Sequence, residues 1–366
     1  MAENKGTKRI LFLSNHFITL YSFRRELIQR LTAQGHEVYI SVPKDERNEY
    51  FEKLGCQLVD TPMSRRGANP IQDAKLILSY VRIMRALRPD VIFSYTVKPN
   101  IYGAMVANPL GLRQVSNITG TGATFMKRDM MSFIVKTLYR LTHRRVYKVF
   151  FQNTGDRDFF VSHRLVRDNY AMLPGSGVNL RQHCLCPMPE GEGVNFIYIG
   201  RIMALKGLEQ YLDCARYIRA KYPETRFYVA GFIEEERFGD LLRSAADEGA
   251  VEYLGFQKDI DRWIRACHCT ILPSMGGEGV PNALLESAAT GRVCIASRIN
   301  GCIDAVEDGR TGYLFTPGSS EELIDSVERF LSLSRDEMAA MGLAGREKME
   351  REFDRELVIE RYMQEV

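Results

Sequence analysis

Several features that would place a protein in a special class are missing from this 366-residue sequence. No apolar run approaches the ~18 residues that a membrane-spanning helix needs, and the apolar stretch at residues 10–13 is too short for a signal peptide. The eight cysteines include no CxxC pair, which favours reduced cytosolic thiols over a disulfide framework. Repeats and low-complexity segments are absent as well. These absences predict an ordinary globular protein of the cytoplasm.

The net charge of +3 is divided unevenly along the chain. Of the 49 Lys and Arg residues, 28 lie in residues 1–190, where only 15 of the 46 Asp and Glu residues are found. The first part therefore carries +13 and the remainder −10. A division of this size predicts that the two halves meet different partners.

Apolar periodicity predicts a doubly wound α/β architecture in the first half. Strand, helix and strand follow one another between residues 9 and 42, which is the βαβ unit of a parallel sheet. A helix at 70–87 and strands at 90–94 and 148–152 continue the pattern. A loop rich in Pro and Gly at 184–192 then has the composition of a linker.

A second series of strands and helices follows this loop. Its predicted strands are 194–199, 226–230, 251–254, 270–273 and 293–296, and its predicted helices are 208–221, 238–248 and 282–289. We therefore predict two Rossmann-like domains with parallel sheets that face an interdomain cleft. The expected domains are 1–186 and 187–348, followed by a C-terminal helix at 349–366 that packs back towards the first domain.

Basic residues follow the first strand of the second domain, where ligands of such sheets bind. Gly200 permits a tight exit from the strand, Arg201 follows it, and Lys206 stands where the next helix opens. Two cations beside a helix N-terminus suit a diphosphate whose negative charge grows as it leaves. Taken alone, the same residues are equally typical of a basic loop near a helix start.

A glycine-rich segment at 274–282 follows another predicted strand, and two carboxylates accompany it. Glu278 lies in the loop, where a carboxylate can accept hydrogen bonds from sugar hydroxyls. Glu286 lies on the next helix, where it can bind two neighbouring ribose hydroxyls. Two glutamates at this spacing are, by themselves, more typical of a solvated helix face, and their combination with Arg201 and Lys206 is the more specific signal.

In this combination the chain resembles the retaining, GT-B-fold glycosyltransferases of family 4. The resemblance covers nearly the whole chain and implies a UDP-sugar donor, with Arg201 and Lys206 on the diphosphate, Glu278 on the donor sugar and Glu286 on the ribose. It also implies that the leaving phosphate takes the acceptor proton during front-face attack. The remaining implied donor contacts are Gly200, Gly255, Phe256, Gly279, Val280, Pro281 and Asn282.

The N-terminal half resembles members of the family that extend undecaprenyl-diphosphate-linked sugars. The segments that carry this resemblance are 20–24, 98–100 and 120–122. It implies that residues 1–186 bind a polyprenyl-diphosphate-linked sugar acceptor and that residues 187–348 bind the nucleotide sugar. The candidate acceptor-binding residues are His16, Arg24, Lys98, Thr119, Gly120, Thr121 and Gly122.

The segment 126–148 has the composition of a basic amphipathic helix. Seven cations stand against Asp129 alone, and Phe133, Ile134 and Leu141 recur at helical spacing. Such a helix can lie on an anionic bilayer, with about 1 kcal/mol from each cation near the surface, or it can pack on the sheet with its basic face solvated. The first alternative predicts a peripheral protein at the inner face of the cell membrane. No nucleic-acid-binding motif accompanies the charge, so nucleic acid is not an expected partner.

No metal ion or other cofactor is expected. Asp156 and Asp158, like Asp259 and Asp261, have the Asp-x-Asp spacing of some metal sites, but both pairs stand where helices are predicted to start. Cys267–Cys269 leads into an apolar run and is interpreted as a strand with buried thiols rather than a zinc site. Two rival functions stay open from the sequence: a sugar-nucleotide epimerase of the same fold, and a non-catalytic nucleotide-sugar-binding assembly protein.

Overall fold

The structure, a computed structural model, describes residues 6–61, 63, 69–122, 125 and 129–366. The described residues form two compact units. The N-terminal unit contains residues up to Thr119, the segment from residue 129 to Ser176, and Val358–Val366. The C-terminal unit contains the described part of the segment 120–126 and Gly177–Leu357. Residues 126–128 of the predicted basic segment lie outside the described residues.

The N-terminal unit is built on a seven-stranded parallel sheet in the order β3-β2-β1-β4-β5-β6-β7. The order reverses at β1, which is the pattern of a doubly wound fold. Its strands are β1 (Arg9–Leu13), β2 (Glu37–Val42), β3 (Gln57–Asp60), β4 (Val91–Tyr95), β5 (Gln114–Ile118), β6 (Lys148–Phe151) and β7 (Tyr170–Met172). Its helices are α1 (Phe17–Ala33), α2 (Glu49–Lys53), α3 (Pro70–Leu87), α4 (Val97–Ala107), α5 (Met130–His143) and α6 (Thr154–Ser162).

The two faces of this sheet bury different helices because successive side chains of a strand point to opposite sides. In β1, Ile10 and Phe12 join a cluster that contains Leu27 of α1. Leu11 and Leu13 join a second cluster with residues of α3 and α4. The strand order runs outward from β1 in both directions. Because crossovers between parallel strands are right-handed, the helices of the two directions pack on opposite faces of the sheet.

The C-terminal unit repeats the plan with a six-stranded parallel sheet in the order β10-β9-β8-β11-β12-β13. Its strands are β8 (Asn195–Ile199), β9 (Arg226–Ala230), β10 (Glu252–Gly255), β11 (Cys269–Leu272), β12 (Val293–Ser297) and β13 (Gly312–Phe315). Its helices are α7 (Leu208–Lys221), α8 (Arg237–Asp247), α9 (Asp261–Ala266), α10 (Asn282–Ala289), α11 (Cys302–Ala305), α12 (Ser320–Leu331) and α13 (Arg335–Glu352). The last helix, α14 (Arg355–Met363), begins in this unit.

The division of the chain differs from the predicted one at the described part of 120–126, at the first boundary, and at the end of the chain. The first boundary lies between Ser176 and Gly177, so the segment 177–186 belongs to the C-terminal unit. Hydrogen bonds explain this: Val178 donates its backbone N–H to Phe353, and the Arg355 guanidinium donates to the Gly177 carbonyl. At the other end of the chain, only Val358–Val366 belongs to the N-terminal unit, where Tyr362 is fully buried beside Phe93 and Phe150.

Candidate functional site

The predicted donor residues follow the carboxyl ends of strands in the C-terminal unit. Gly200 comes directly after β8, Phe256 directly after β10, and Ser274 two residues after β11. All six strands of the sheet run parallel, so these ends share one edge. The structure thus places this part of the predicted site on a single edge of the second sheet.

The backbone around Arg201 is fixed by the loop that follows β9. A Cβ atom on Gly231 would lie 1.8 Å from the Gly200 carbonyl oxygen, so only glycine permits this approach. Ile202 donates its N–H to Phe232 over 3.0 Å. Tyr198 donates its hydroxyl to the Arg201 carbonyl oxygen over 3.0 Å. Burial, with a smaller contribution from the Glu278 carboxylate, raises the pKa of Tyr198, which keeps this donor protonated.

Lys206 is held at the start of α7 by a close contact between two loops. Gly207 has a left-handed backbone with φ +68°, and a Cβ atom there would lie 1.9 Å from the Pro273 carbonyl oxygen. Met275 donates its N–H to the Leu205 carbonyl over 2.9 Å. The loop after β8 and the loop after β11 are therefore joined, and this brings Lys206 to Glu278.

Lys206 and Glu278 form an ion pair at this edge. The Lys206 Nζ donates to Glu278 Oε1, and the Ser274 hydroxyl donates to the same oxygen over 2.6 Å. Ser274 is fully buried, and the side chains of Lys206 and Glu278 are 17% and 12% exposed. Low exposure strengthens the electrostatic interaction. The result is a fixed cation beside a fixed carboxylate, which is an arrangement able to bind a phosphate and a hydroxyl-bearing group side by side.

The second carboxylate of the predicted pair lies on α10. Pro281 precedes this helix with an extended backbone, Asn282 is its first residue, and Glu286 is half-buried one turn further along. Val280 and Pro281 are buried. Gly279 is the last glycine of the loop that leads into the helix.

Glycine residues 120 and 122 pack against the loop that carries Glu278. A Cβ atom on Gly120 would lie 2.7 Å from both the Gly277 carbonyl oxygen and the Gly279 nitrogen. A Cβ atom on Gly277, whose φ is +74°, would lie 2.8 Å from the Gly122 Cα. These contacts lie within the C-terminal unit, to which residues 120–122 belong. The predicted acceptor residues Gly120, Thr121 and Gly122 therefore belong to the C-terminal unit, whereas Thr119 belongs to the N-terminal unit.

Exposed apolar side chains complete the edge near β9 and β10. Phe256, which the resemblance implied at the base, is 63% exposed and follows Gly255 with φ +66°. Phe232 and Ile233 are each 38% exposed. Phe232 and Ile233 follow β9 by two and three residues, and neither was among the predicted site residues.

Three of the other predicted acceptor residues make contacts of their own within the N-terminal unit. The His16 ring caps α1, with Nδ1 accepting from the Ile18 N–H over 3.1 Å. Lys98 of α4 forms a 2.7 Å ion pair with Asp73 of α3. Arg24 of α1 is 2% exposed, and its guanidinium lies 5.1 Å from the ring centres of both Tyr95 and Tyr362. Arg24 is therefore a buried core residue and is not presented to an acceptor.

The aspartates with metal-like spacing have other partners. Asn153 caps α6: its side-chain oxygen accepts from the Asp156 N–H over 2.7 Å, and its amide donates to the Asp156 carboxylate over 3.0 Å. Asp261 starts α9, where it contacts His183 over 2.9 Å. Cys267 and Cys269 are fully buried, as predicted for a strand. Within the described residues, no group of three or more His, Cys, Asp or Glu side chains is placed to hold a metal ion.

Helix α5 has an apolar surface that nothing in the described part of the chain covers. Val135, Tyr139 and Thr142 are buried on one side. On the outer side, Met130, Phe133 and Leu141 are about two-thirds or more exposed, at 77%, 70% and 67%. Ile134 is 41% exposed. Among the described residues, no helix combines the length and apolar character that crossing a membrane requires.

Solved structures with the same architecture define the fold. The chain matches a glycosyltransferase from Rickettsia africae with a TM-score of 0.80 and 15% identity, over 98% of this chain and 97% of that one. It matches Anabaena HepE in complex with UDP-glucose with a TM-score of 0.80 and 16% identity, over 98% and 100% of the two chains. The fold is thus GT-B, with two α/β domains built on parallel sheets.

Sequence comparisons define the family. Residues 9–153 match the model "Glycosyl transferase 4-like", and residues 193–333 match "Glycosyl transferases group 1". The chain belongs to the GT-B-fold glycosyltransferases of family 4. It is 24% identical, over 97% of both chains, to the N,N'-diacetylbacillosaminyl-diphospho-undecaprenol alpha-1,3-N-acetylgalactosaminyltransferase of Campylobacter jejuni. It is 22% identical, over 73% of both chains, to the UDP-Gal:alpha-D-GlcNAc-diphosphoundecaprenol alpha-1,3-galactosyltransferase of Escherichia coli.

Proposed function

We propose that this glycosyltransferase moves an N-acetylhexosamine from a UDP-sugar to an undecaprenyl-diphosphate-linked saccharide. The observation that carries the proposal is the cluster of Lys206, Glu278 and Ser274 at the carboxyl edge of the second sheet. The names of the two relatives, both of which act on diphospho-undecaprenol-linked sugars, support the class of acceptor.

The donor diphosphate is bound by Arg201 and Lys206. As the bond between the sugar C1 and the diphosphate oxygen breaks, negative charge grows on the diphosphate, and two fixed cations stabilise it more than they stabilise the intact donor. The N-terminus of α7, directly after Lys206, adds a favourable field for an anion. With this charge supplied by the chain, we propose that transfer requires no metal ion.

Glu278 and Asn282 orient the donor sugar, and Glu286 binds the ribose. The acceptor hydroxyl attacks C1 on the face that the diphosphate leaves, so the new bond keeps the anomeric configuration. The acceptor proton passes to a phosphate oxygen of the departing UDP. Gly255 and Phe256 lie at the uracil ring, where the exposed face of Phe256 offers an apolar surface.

The acceptor is bound by the N-terminal unit, which approaches the inner face of the cell membrane through α5. An anionic bilayer is favoured because exposed apolar side chains and cations occur together on and beside this helix. Arg140, Arg144 and Arg145 are exposed near Leu141. Apolar side chains can enter the interface while the cations contact lipid phosphates.

Product analysis tests this function. The protein is incubated with a panel of UDP-sugars and polyprenyl-diphosphate-linked saccharides, with and without EDTA, and the products are identified by mass. We expect one donor to add one sugar to the lipid-linked saccharide, and EDTA to leave the rate unchanged. Conversion of the donor without an acceptor would indicate an epimerase instead, and donor binding without any product would indicate a non-catalytic protein.

A further inference from the structure

Arg201 has a neighbour that its own sequence context does not reveal. The Glu234 Oε2 lies 3.6 Å from the Arg201 Nη1. The Glu234 side chain is only 6% exposed, whereas the Arg201 side chain is 42% exposed. A carboxylate that is withdrawn from water is unfavourable unless charged or polar groups compensate for it. The pair therefore differs from an ordinary exposed ion pair, which contributes little.

The backbone holds these two residues in register. Ile202 and Ile233 form a parallel β-bridge, and Glu234 donates its N–H to the Ile202 carbonyl over 3.0 Å. Arg201 directly precedes Ile202, and Glu234 directly follows Ile233. Both side chains therefore extend from hydrogen-bonded backbone. The geometry therefore places the nearly buried Glu234 carboxylate beside the partly exposed Arg201 guanidinium.

We propose that Glu234 is a positioning residue that holds the Arg201 guanidinium towards the donor diphosphate. The inference rests on the proposed function, in which Arg201 binds that diphosphate. Arginine has several N–H donors in a rigid plane, so one edge can face Glu234 while the others reach phosphate oxygens. A free arginine side chain would lose more rotamer freedom on binding the ligand. Glu234 itself does not contact the ligand.

Two effects of Glu234 on diphosphate binding oppose each other. The carboxylate orients Arg201, which favours binding, and its negative charge repels the diphosphate, which disfavours it. We expect orientation to dominate. The effect of Glu234 passes through Arg201, and a double-mutant cycle isolates this coupling.

Calorimetric binding of UDP and of uridine tests the proposal. Glu234→Gln is expected to weaken UDP binding about tenfold, because the neutral amide no longer attracts the Arg201 guanidinium, and to leave uridine binding unchanged. In an Arg201→Gln background, Glu234→Gln is expected to have no further effect on UDP. The matched control is Glu235→Gln in the same loop, since Glu235 pairs with Arg237 instead, and it is expected to bind UDP like the unsubstituted protein.

The outcomes distinguish failure of the proposed function from failure of the positioning role of Glu234. If the unsubstituted protein binds no UDP, the proposed function fails. If it binds UDP, equal or tighter binding by Glu234→Gln overturns the positioning role, as does an effect of the same size in the Arg201→Gln background. If Glu234→Gln does not fold, as judged by loss of uridine binding, Glu234→Asp is measured in its place. This variant keeps the charge but shortens the side chain, and weaker UDP binding is expected from it as well.

Discussion

Ser274 and Glu278 are joined by a 2.6 Å hydrogen bond in which the buried serine hydroxyl donates to the carboxylate oxygen that also receives Lys206. One carboxylate oxygen thus links the loop after β11 to the start of α7. The proposed contacts of Glu278 with the sugar and of Lys206 with the diphosphate depend on this link. A change at Ser274 therefore tests the site without removing any group that contacts a substrate.

Ser274→Ala is expected to lower kcat/KM about tenfold, because a hydrogen bond to a charged group typically contributes about 1.5–3 kcal/mol and part of the position survives through Lys206. Steady-state kinetics with the identified donor measure the change. The control is Ser297→Ala at the end of β12. Ser297 is also fully buried, and its hydroxyl has no hydrogen-bond partner within the described residues. Equal losses in both variants would show that Ser274 acts only through packing.

Gly277→Ala is expected to reduce both stability and activity. Its left-handed backbone and the 2.8 Å distance from the new Cβ to the Gly122 Cα both oppose any side chain. Gly249→Ala is the matched control, because Gly249 has φ +72° but nothing within 4 Å. Thermal unfolding should show a larger loss for Gly277→Ala, by about 1–3 kcal/mol for the forced displacement. Equal losses would mean that backbone strain alone accounts for the requirement for glycine.

Replacement of Phe133, Ile134 and Leu141 together by serine is expected to weaken binding to vesicles about tenfold or more. Each apolar side chain withdrawn from water contributes about 1.5–3 kcal/mol when fully buried, and partial insertion contributes less. Co-sedimentation with phosphatidylglycerol-containing vesicles measures the change, and high salt should weaken binding further. Leu343→Ser, at a 46% exposed leucine of α13, is the control. Unchanged vesicle binding by the triple variant would exclude α5 as the membrane surface.

His143 predicts a pH dependence of stability. Burial lowers the pKa of His143 to about 3, below the ordinary value of 6.5. As the pH falls below about 6.5, His143 becomes protonated in the unfolded chain but stays neutral in the folded chain. The free energy of unfolding therefore decreases by about 1.4 kcal/mol per pH unit for that proton. The contribution is complete above pH 6.5 and is lost progressively towards pH 3. Thermal unfolding between pH 7.5 and 5.0 should show a shallower decline for His143→Phe, and an identical slope would contradict this role.

Local signals were sufficient for the elements that frame the donor site. Helix α3 begins at Pro70 as predicted, because the Asn69 side chain accepts from two backbone N–H groups of the first turn. Helices α7 and α10 also begin and end where predicted. Glycine or proline at their starts and continuous apolar strands before them are short-range features.

Elements without that periodicity were not predicted. Helix α4 is buried along most of its length, so it lacks an amphipathic pattern. Strand β5 contains Gln114, Ser116 and Asn117, a polar composition more typical of a loop, but all three are buried. Gln114 donates to the Ser116 hydroxyl, and Asn117 donates to the Ser94 carbonyl. Their partners include Ser94 on β4 and, through Asn117, the Tyr362 hydroxyl from the far end of the chain. Contacts between residues so far apart in the chain cannot be predicted from local sequence patterns.

The same limit applies to single side chains. Arg24 was assigned to the acceptor as a cation in the segment 20–24 that carries the resemblance, but it is buried, and its two aromatic neighbours come from β4 and α14. Glu234 and Ser274 carry no motif, and only the folded loops bring them to Arg201 and Glu278. The sequence was sufficient to predict the charged residues that follow the strands. It was not sufficient to predict the side chains that hold those residues in position.

Mass analysis of the lipid-linked product determines whether this protein transfers a sugar to a lipid-linked acceptor. Polyprenyl-diphosphate-linked saccharides are incubated with the preferred UDP-sugar and either the unsubstituted protein or Lys206→Gln, with Lys221→Gln at the other end of α7 as the control. Mass spectrometry should show one added sugar with the unsubstituted protein and the control, and a rate reduced about 10²–10³-fold with Lys206→Gln, as for loss of one charge-stabilising group. An unchanged lipid mass with every donor would rule out the proposed transfer, and full activity of Lys206→Gln would rule out the proposed role of Lys206.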